Sequence, residues 1–293
     1  MPRLALLPII AREIFGNQTL PREPEPDLVM QDEEQVRAYS QAGRIDGAMS
    51  AVYLFHSGQV SAVIRGARRV IDLGCGPATQ LAQIAALNPN SEFVGVDLSP
   101  TMLEDARSHV TACGLQNVSF SQGDVTRLSQ FGDHSADAVI STFALHHLPT
   151  REHLDACFTE ISRILKPGGA VYLMDFGRLK SLLSVIRFAY MTSDNQPHIF
   201  SLDYERSLRA AFLYEEFVET ARQFLPASVR AFSTFIVPLF VILRTSPRPL
   251  PQEVVAQLDS LRKGLPKNYR RDFEELRLFF RLGGLTPDPF RAA

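Results

Sequence analysis

Two sets of side chains in this sequence are placed where they could do chemistry. The first is a series of carboxylates that end short apolar runs. Asp72 follows Val70-Ile71, Asp97 follows Phe93-Val94-Gly95-Val96, and Asp124 follows the run from Val118 to Gly123. The second is the pair His146-His147, just past a run that ends at Thr142. Carboxylates that terminate strands of an open α/β sheet face the edge where such sheets bind ligands. An imidazole at that edge can take a proton near neutral pH. The stretch Asp72-Leu73-Gly74-Cys75-Gly76-Pro77-Ala78 breaks an apolar run at two glycines and restarts as a helical pattern on Leu81, Ile84, Ala85 and Leu87. Strand, glycine turn and helix N-terminus together make a cradle for a cofactor. The glycines let a ligand approach the backbone, and the free N–H groups of the helix point at it. His56 and His109 fall inside helical patterns and read as ordinary helix residues.

These residues need a sheet to hold them. Strands are expected from Arg69 to Leu73, at Glu92–Asp97, at Val118–Gln122, at Ala138–Thr142 and at Ala170–Asp175. Helices fall between them. One is capped by Ser99 with Pro100 at its first position and stops at Gly114; another runs from about Arg151 to Leu165. Strands alternating with helices at this spacing give a parallel, doubly wound sheet. After Asp175 the rhythm breaks. An amphipathic helix on Leu179, Leu182, Ile186 and Tyr190 is followed by a helical pattern from Leu208 to Ala221. Val229–Phe235 and Leu239–Thr245 then read as an antiparallel hairpin around Pro238. The division predicted is 1–66 for N-terminal helices and a lid, 67–246 for the core with a cap insertion at 176–213, and 247–293 for a C-terminal helical extension.

Composition narrows the function. A net charge of -2 offers no electrostatic footprint for a nucleic acid, so none is expected as partner. The three cysteines match neither a disulfide framework nor a zinc spacing; no metal site is expected, and a reducing cytoplasm is the plain reading. The apolar run at Leu4–Ile10 is broken by Pro8 and followed by no cleavage pattern, so a secretory signal is not expected. Phe235–Leu243 is too short to span a bilayer.

The segment Asp72 to Ala78 resembles the first motif of class I S-adenosylmethionine-dependent methyltransferases. Asp97 stands 25 residues beyond Asp72, where such proteins place the carboxylate for the ribose hydroxyls. Gly123-Asp124-Val125 resembles the motif whose acid takes the adenine amino group. Thr142 to Leu148 resembles the segment after strand four in menaquinone- and ubiquinone-type small-molecule methyltransferases, and Leu165 to Gly169 resembles the turn before strand five. The resemblance covers about 36–246. It implies a Rossmann-like, doubly wound, mostly parallel α/β sheet with an antiparallel hairpin edge, a helical cap and extra terminal helices. It further implies S-adenosyl-L-methionine as cofactor, held by Asp72, Gly74, Gly76, Asp97, Leu98, Asp124, Val125 and Thr142, with Tyr39 from an N-terminal lid. His147, ahead of His146, is the candidate base. Tyr204 and Arg206 in the insertion are candidates to line the pocket of a small, partly apolar acceptor. A third glycine is common where Ala78 stands. The alternatives are a cofactor-binding scaffold or non-transfer catalyst, and a protein or RNA methyltransferase.

One expectation concerns association. Tyr269, Phe273, Leu276 and Phe280 fall on one side of a helix between Asn268 and Leu282. Such a stripe must be buried, on the chain's own core or across a two-fold interface, and a homodimer is the favoured outcome.

Overall fold

A computed structural model describes residues 6–16, 19–26, 41–43, 47–191 and 196–291. Its centre is a seven-stranded sheet in the order β3-β2-β1-β4-β5-β7-β6. The strands are β1 Arg69–Leu73, β2 Glu92–Asp97, β3 Val118–Gln122, β4 Ala136–Thr142, β5 Leu165–Phe176, β6 Arg230–Ser233 and β7 Phe240–Arg244. The first five pair in parallel; β7 runs antiparallel to β5, and β6 antiparallel to β7. Val70, Ile71 and Leu73 in central β1 are fully buried, as a strand covered on both faces requires. The registers Asp72↔Gly95 and Asp97↔Gln122 bring the carboxyl ends of β1, β2 and β3 to one edge, and Thr142↔Met174 does the same for β4 and β5.

The helices are α1 Leu7–Phe15, α2 Ser50–Val63, α3 Thr79–Leu87, α4 Pro100–Ala112, α5 Arg151–Ile164, α6 Leu182–Tyr190, α7 His198–Ala210, α8 Tyr214–Phe224, α9 Gln252–Gly264 and α10 Lys267–Leu282. The strand boundaries expected from sequence hold for β2 and β3; β5 starts earlier, at Leu165. The helical pattern from Leu208 to Ala221 is two helices. Phe212 bridges to Gly177 between them, and the Glu216 carboxylate accepts the N–H of Leu213 to start α8 afresh.

The C-terminal segment is part of the core. Helix α2 is buried over nearly its whole length, with α10 packed along it: Phe55 stacks on Phe280 at 5.1 Å between ring centres. Tyr269, Phe273, Leu276 and Phe280 are all buried and share one apolar cluster with Val70 and Ile140 of the sheet. Arg244, 1% exposed, donates to Gln59 Oε1 and to the carbonyl of Thr286, tying β7 to α2 and to the C-terminal tail. The aromatic stripe is therefore satisfied within the chain, and the reason for expecting a two-fold seam there falls away. His56 lies on a helix as expected, but it is fully buried in the core. Its Nδ1 lies 2.5 Å from the Tyr172 hydroxyl, and burial pushes the imidazole down to about 3.

Candidate active site

The glycine turn after β1 is held by its neighbours. The N–H groups of Gly74 and Cys75 donate to the Val96 carbonyl at 2.8 and 3.0 Å. Gly74 has φ +71°, and a Cβ there would lie 2.3 Å from the Cβ of Ala144, so only glycine lets the turn meet the loop after β4. Ala78 also adopts a left-handed conformation, φ +57°, which explains why glycine suits this position. Asp97 closes the turn from β2: its Oδ2 accepts the Gly76 N–H at 2.8 Å and its Oδ1 the Ser99 N–H at 2.9 Å. Burial pushes the Asp97 carboxyl up, against the pull of these backbone donors. Asp124 accepts the N–H and hydroxyl of Thr126, which fixes it at the mouth of the same cavity.

That cavity, about 230 Å³, opens at the carboxyl edge of the sheet. Of the residues expected from sequence, Gly74, Gly76, Asp97, Leu98, Asp124, Val125, His146, His147 and Tyr204 line it. Asp72, Thr142 and Arg206 do not. Asp72 is buried beneath the turn, where burial, and then the charge of Asp97, push its carboxyl up to about 7. The Thr142 hydroxyl is spent on Gln80 Oε1, and Arg206 is exposed on α7. Asp203 and Ser207 of the same helix face the cavity instead. Tyr39 lies outside the described residues.

The other end of the cavity is built around a strained residue. Phe143, the first residue after β4, is buried with φ +55° and packs on Phe176 at 4.9 Å. The bend sends Leu145–His147 as a 3₁₀ turn across the end of β5. Asp175, fully buried in β5, receives it: Oδ2 accepts the His146 N–H at 3.0 Å, and Oδ1 lies 2.6 Å from His146 Nδ1. With Nδ1–H donated to the carboxylate, Nε2 carries the free lone pair.

A segment from the N-terminus completes this end. Arg22 lies over the Phe212 ring and donates to the carbonyls of His146, Leu148, Pro149 and Ala210, strapping residues 19–26 onto the turn. The strap delivers Glu25. Its Oε1 accepts the Ser207 hydroxyl and lies 3.7 Å from His146 Nε2, and its Oε2 lies 3.3 Å from His147 Nδ1. Burial alone would push Glu25 up, but the close approach and charge of the His147 imidazole, then the charge of His146, hold it at about 2. Burial would likewise lower His147, and Glu25 holds it above its ordinary value. Asp203 is pushed up to about 6 by burial and then by the negative charge of Glu25.

Beyond this end lies a second chamber of about 210 Å³, lined by Ile9, Val52, Phe188, Phe240 and Leu276 among others. Met49, Phe143, Phe176, Phe200 and Tyr204 line both chambers and form the wall between them. Sequence reasoning missed Glu25, Asp175 and Asp203 as site residues. Asp175 carries the same signal as Asp97, an acid near a strand end. Glu25, between two prolines, carries none.

Residues 70–169 match a family described as Methyltransferase domain. The chain is 33% identical over 113 residues to a demethylmenaquinone methyltransferase of Bacillus cytotoxicus, covering 38% of this chain and 46% of that protein. It is 27% identical over 156 residues to a fatty-acid O-methyltransferase of Mycolicibacterium smegmatis, covering 53% and 50%. Among solved structures, a SAM-dependent methyltransferase from Aquifex aeolicus shares the fold with a TM-score of 0.52 at 15% identity, covering 74% of this chain and 98% of that one. This chain carries a class I S-adenosylmethionine-dependent methyltransferase domain. It spans about half the length of the curated relatives it matches.

The methyltransferase domain has a cavity whose chemistry fits that family's cofactor, S-adenosylmethionine. Asp97 and Asp124 offer acceptor oxygens at the strand ends, Leu98, Met102 and Val125 offer apolar contact, and the left-handed backbone at Gly74 and Gly76 leaves room for close approach. Its carboxylates also suit a ligand that carries a cationic sulfonium. Among the described residues, no helix is long and apolar enough to cross a membrane.

Proposed function

We propose that the protein transfers a methyl group to a small molecule with a large apolar body and one polar, nucleophilic end. The observation that carries this reading is the adjoining pair of chambers. One is walled by strand-end carboxylates and the other by aromatic and aliphatic side chains, with Phe143, Phe176 and Tyr204 between them and the His146–His147 turn on the first chamber's side, the His146 ring 5.2 Å from that of Phe176. When bound, the cofactor supplies an electrophilic methyl group. Asp97 would accept the ribose hydroxyls and Asp124 the adenine amino group. Gly74 and Gly76 would admit the cofactor to the backbone, and Leu98 and Val125 would pack on its base. Asp72 and Thr142 would act from beneath, by holding the turn and α3 in place.

The apolar chamber would seat the acceptor body, with Tyr204 on its wall presenting a hydroxyl toward the junction. Orientation of this kind can supply roughly 7–11 kcal/mol of barrier reduction. The enclosing phenylalanines would exclude water from the junction. His146, fixed by Asp175, and His147, facing Glu25, would be the groups that meet the acceptor's polar end and handle its proton. The relatives named for demethylmenaquinone and for a fatty acid act on molecules with large apolar bodies, which agrees with this chamber.

Incubation with isotopically labelled S-adenosylmethionine and two acceptor panels, isoprenoid phenols and long-chain carboxylic acids, tests the reading. Label should appear in an apolar acceptor, and Phe176→Ala should raise its KM more than it lowers kcat. Binding of S-adenosylhomocysteine without transfer to any acceptor would favour the scaffold reading instead.

A further inference from the structure

We propose that Glu25, His146 and His147 form a site for a divalent transition cation, zinc being the best match, with an open coordination position facing the cavity at the strand ends. The site is composite. The carboxylate comes from the N-terminal strap and the imidazoles from the turn after β4, 121 residues later. One oxygen or nitrogen from each of the three lies within 4.8 Å of the others.

The geometry is that of ligands around a shared centre rather than of paired hydrogen bonds. His146 Nε2 and His147 Nδ1 are both buried, and among the described residues neither finds a hydrogen-bond partner, although Glu25 oxygens stand 3.7 and 3.3 Å away. His146 as a whole is 2% exposed. Tetrahedral ligands on metal bonds of about 2.0–2.1 Å stand roughly 3.3–3.4 Å apart; each imidazole is within a few tenths of an ångström of that spacing from one Glu25 oxygen, Oε1 for His146 and Oε2 for His147, and the three ligand atoms draw together from within 4.8 Å on binding.

The surroundings are those of a metal site. Asp175 holds Nδ1–H of His146 at 2.6 Å and so aims the Nε2 lone pair inward, the carboxylate–histidine arrangement found behind metal-bound imidazoles. The Ser207 hydroxyl orients Glu25 in the same way. Charge also favours a cation. Glu25, Asp175 and Asp203 converge on two imidazoles, and the one guanidinium that grips this turn, Arg22, directs its donors to backbone carbonyls. Two nitrogens and a carboxylate select zinc-like cations over magnesium, which prefers an all-oxygen shell. Three protein ligands leave a fourth position free, as metal centres that bind a substrate oxygen do. If the acceptor sits as proposed above, its polar oxygen would occupy that position, and with the imidazole lone pairs taken up by the cation, the metal in place of a histidine would lower that oxygen's pKa.

Calorimetric titration of tag-free, chelator-treated full-length protein with Zn²⁺, with and without S-adenosylhomocysteine, tests the site and requires no acceptor. One equivalent should bind, Co²⁺ should give the intense visible bands of a tetrahedral centre, and Mg²⁺ should give no saturable heat. Glu25→Gln and His147→Gln should each weaken Zn²⁺ at least tenfold, and Asp175→Asn roughly 10–100-fold, while S-adenosylhomocysteine binding reports that each variant is folded. Absence of saturable Zn²⁺ binding by the wild type, or equal Zn²⁺ affinity in folded Glu25→Gln and His147→Gln, would overturn the proposal and leave a Glu25–His147 ion pair. Failure of methyl transfer in a protein that binds zinc would overturn only the functional reading.

Discussion

Asp97 lines the cavity and Glu25 stands behind its His146–His147 wall, and the chain brings these two carboxylates there by different routes. Asp97 ends β2, one strand from the glycine turn it closes, and its two backbone partners lie within reach of a single βαβ unit. Glu25 arrives on a strap with no regular structure, fastened by Arg22 to a turn more than 120 residues away. Two buried carboxyls at opposite ends also shift in opposite directions. Asp72, buried and then beside Asp97, is raised to about 7; Glu25, facing two imidazoles, is held at about 2, although its neighbour Asp203 is raised to about 6. The end proposed for the cofactor is a product of local strand-turn-helix geometry. The end proposed for the acceptor is a product of long-range assembly. Substitutions should therefore separate them.

The largest effect is expected at the cofactor end. Asp97→Ala would remove the two charge-assisted bonds proposed to the ribose, each worth about 1.5–3 kcal/mol, and would release the Gly76 N–H as well. S-Adenosylhomocysteine affinity should fall by about two orders of magnitude in calorimetry, whereas Glu25→Gln should leave it within about threefold. A comparable fall in both variants would erase the distinction drawn here.

Charge gives the next effect. A carboxyl whose folded-state pKa is raised contributes stability that is complete below its unfolded value and lost as pH rises through the folded one. For Asp72 the window runs from about 4 to about 7, and the loss is on the order of a few kcal/mol. The melting temperature of ligand-free protein should drop between about pH 4 and pH 7 and level off above it, and Asp72→Asn should remove much of that slope. Glu25 has the opposite sign: its contribution is present above about pH 4.5 and lost toward pH 2. Melting curves of the two variants from pH 3 to pH 8 would sharpen the contrast.

Arg22→Ala is expected to cost less, about 1–3 kcal/mol, through lost bonds to buried carbonyls. Its mark should be local. Urea melts should shift modestly, cofactor affinity should hold, and hydrogen exchange should quicken in residues 145–150. The smallest effect is expected at Ala78→Gly. Relief of the left-handed conformation stabilises by about 1 kcal/mol, while loss of a buried methyl and gain of chain entropy offset most of it. A net change within about 0.5 kcal/mol in denaturant titration is the expected outcome.

The same contrast decides what could be read from the residues alone. β-Branched runs broken by Gly74-Gly76 and ended by Asp97 or Asp124 announce a parallel sheet and its ligand edge, because strand, turn and helix signals are local and sit in one stretch of chain. The bounds of β1, β2 and β3 and the cavity-lining Gly74, Gly76, Asp97, Leu98, Asp124 and Val125 were legible for that reason. The stripe from Tyr269 to Phe280 was legible as buried but not as to where, since periodicity identifies a face and not its partner. Here the partner is Phe55 and the rest of α2. Glu25 was invisible, because a glutamate between Pro24 and Pro26 has the composition of a linker. Asp203 and Arg206 were separable only by which side of α7 meets the cavity.

The strap also bears on how the protein is made. Synthesis runs from the N-terminus, so Arg22 and Glu25 leave the ribosome before all seven strands, but their docking surfaces come much later. The turn at 145–149 and the carbonyl of Ala210 must be in place before Arg22 has anything to grip. The strand-end carboxylates at Asp97 and Asp124 belong to a region completed well before that. A nascent chain would thus hold the glycine turn and its closing carboxylate while the strap still waits for a partner, and the end around His146 and His147 would be the last part of the cavity to close.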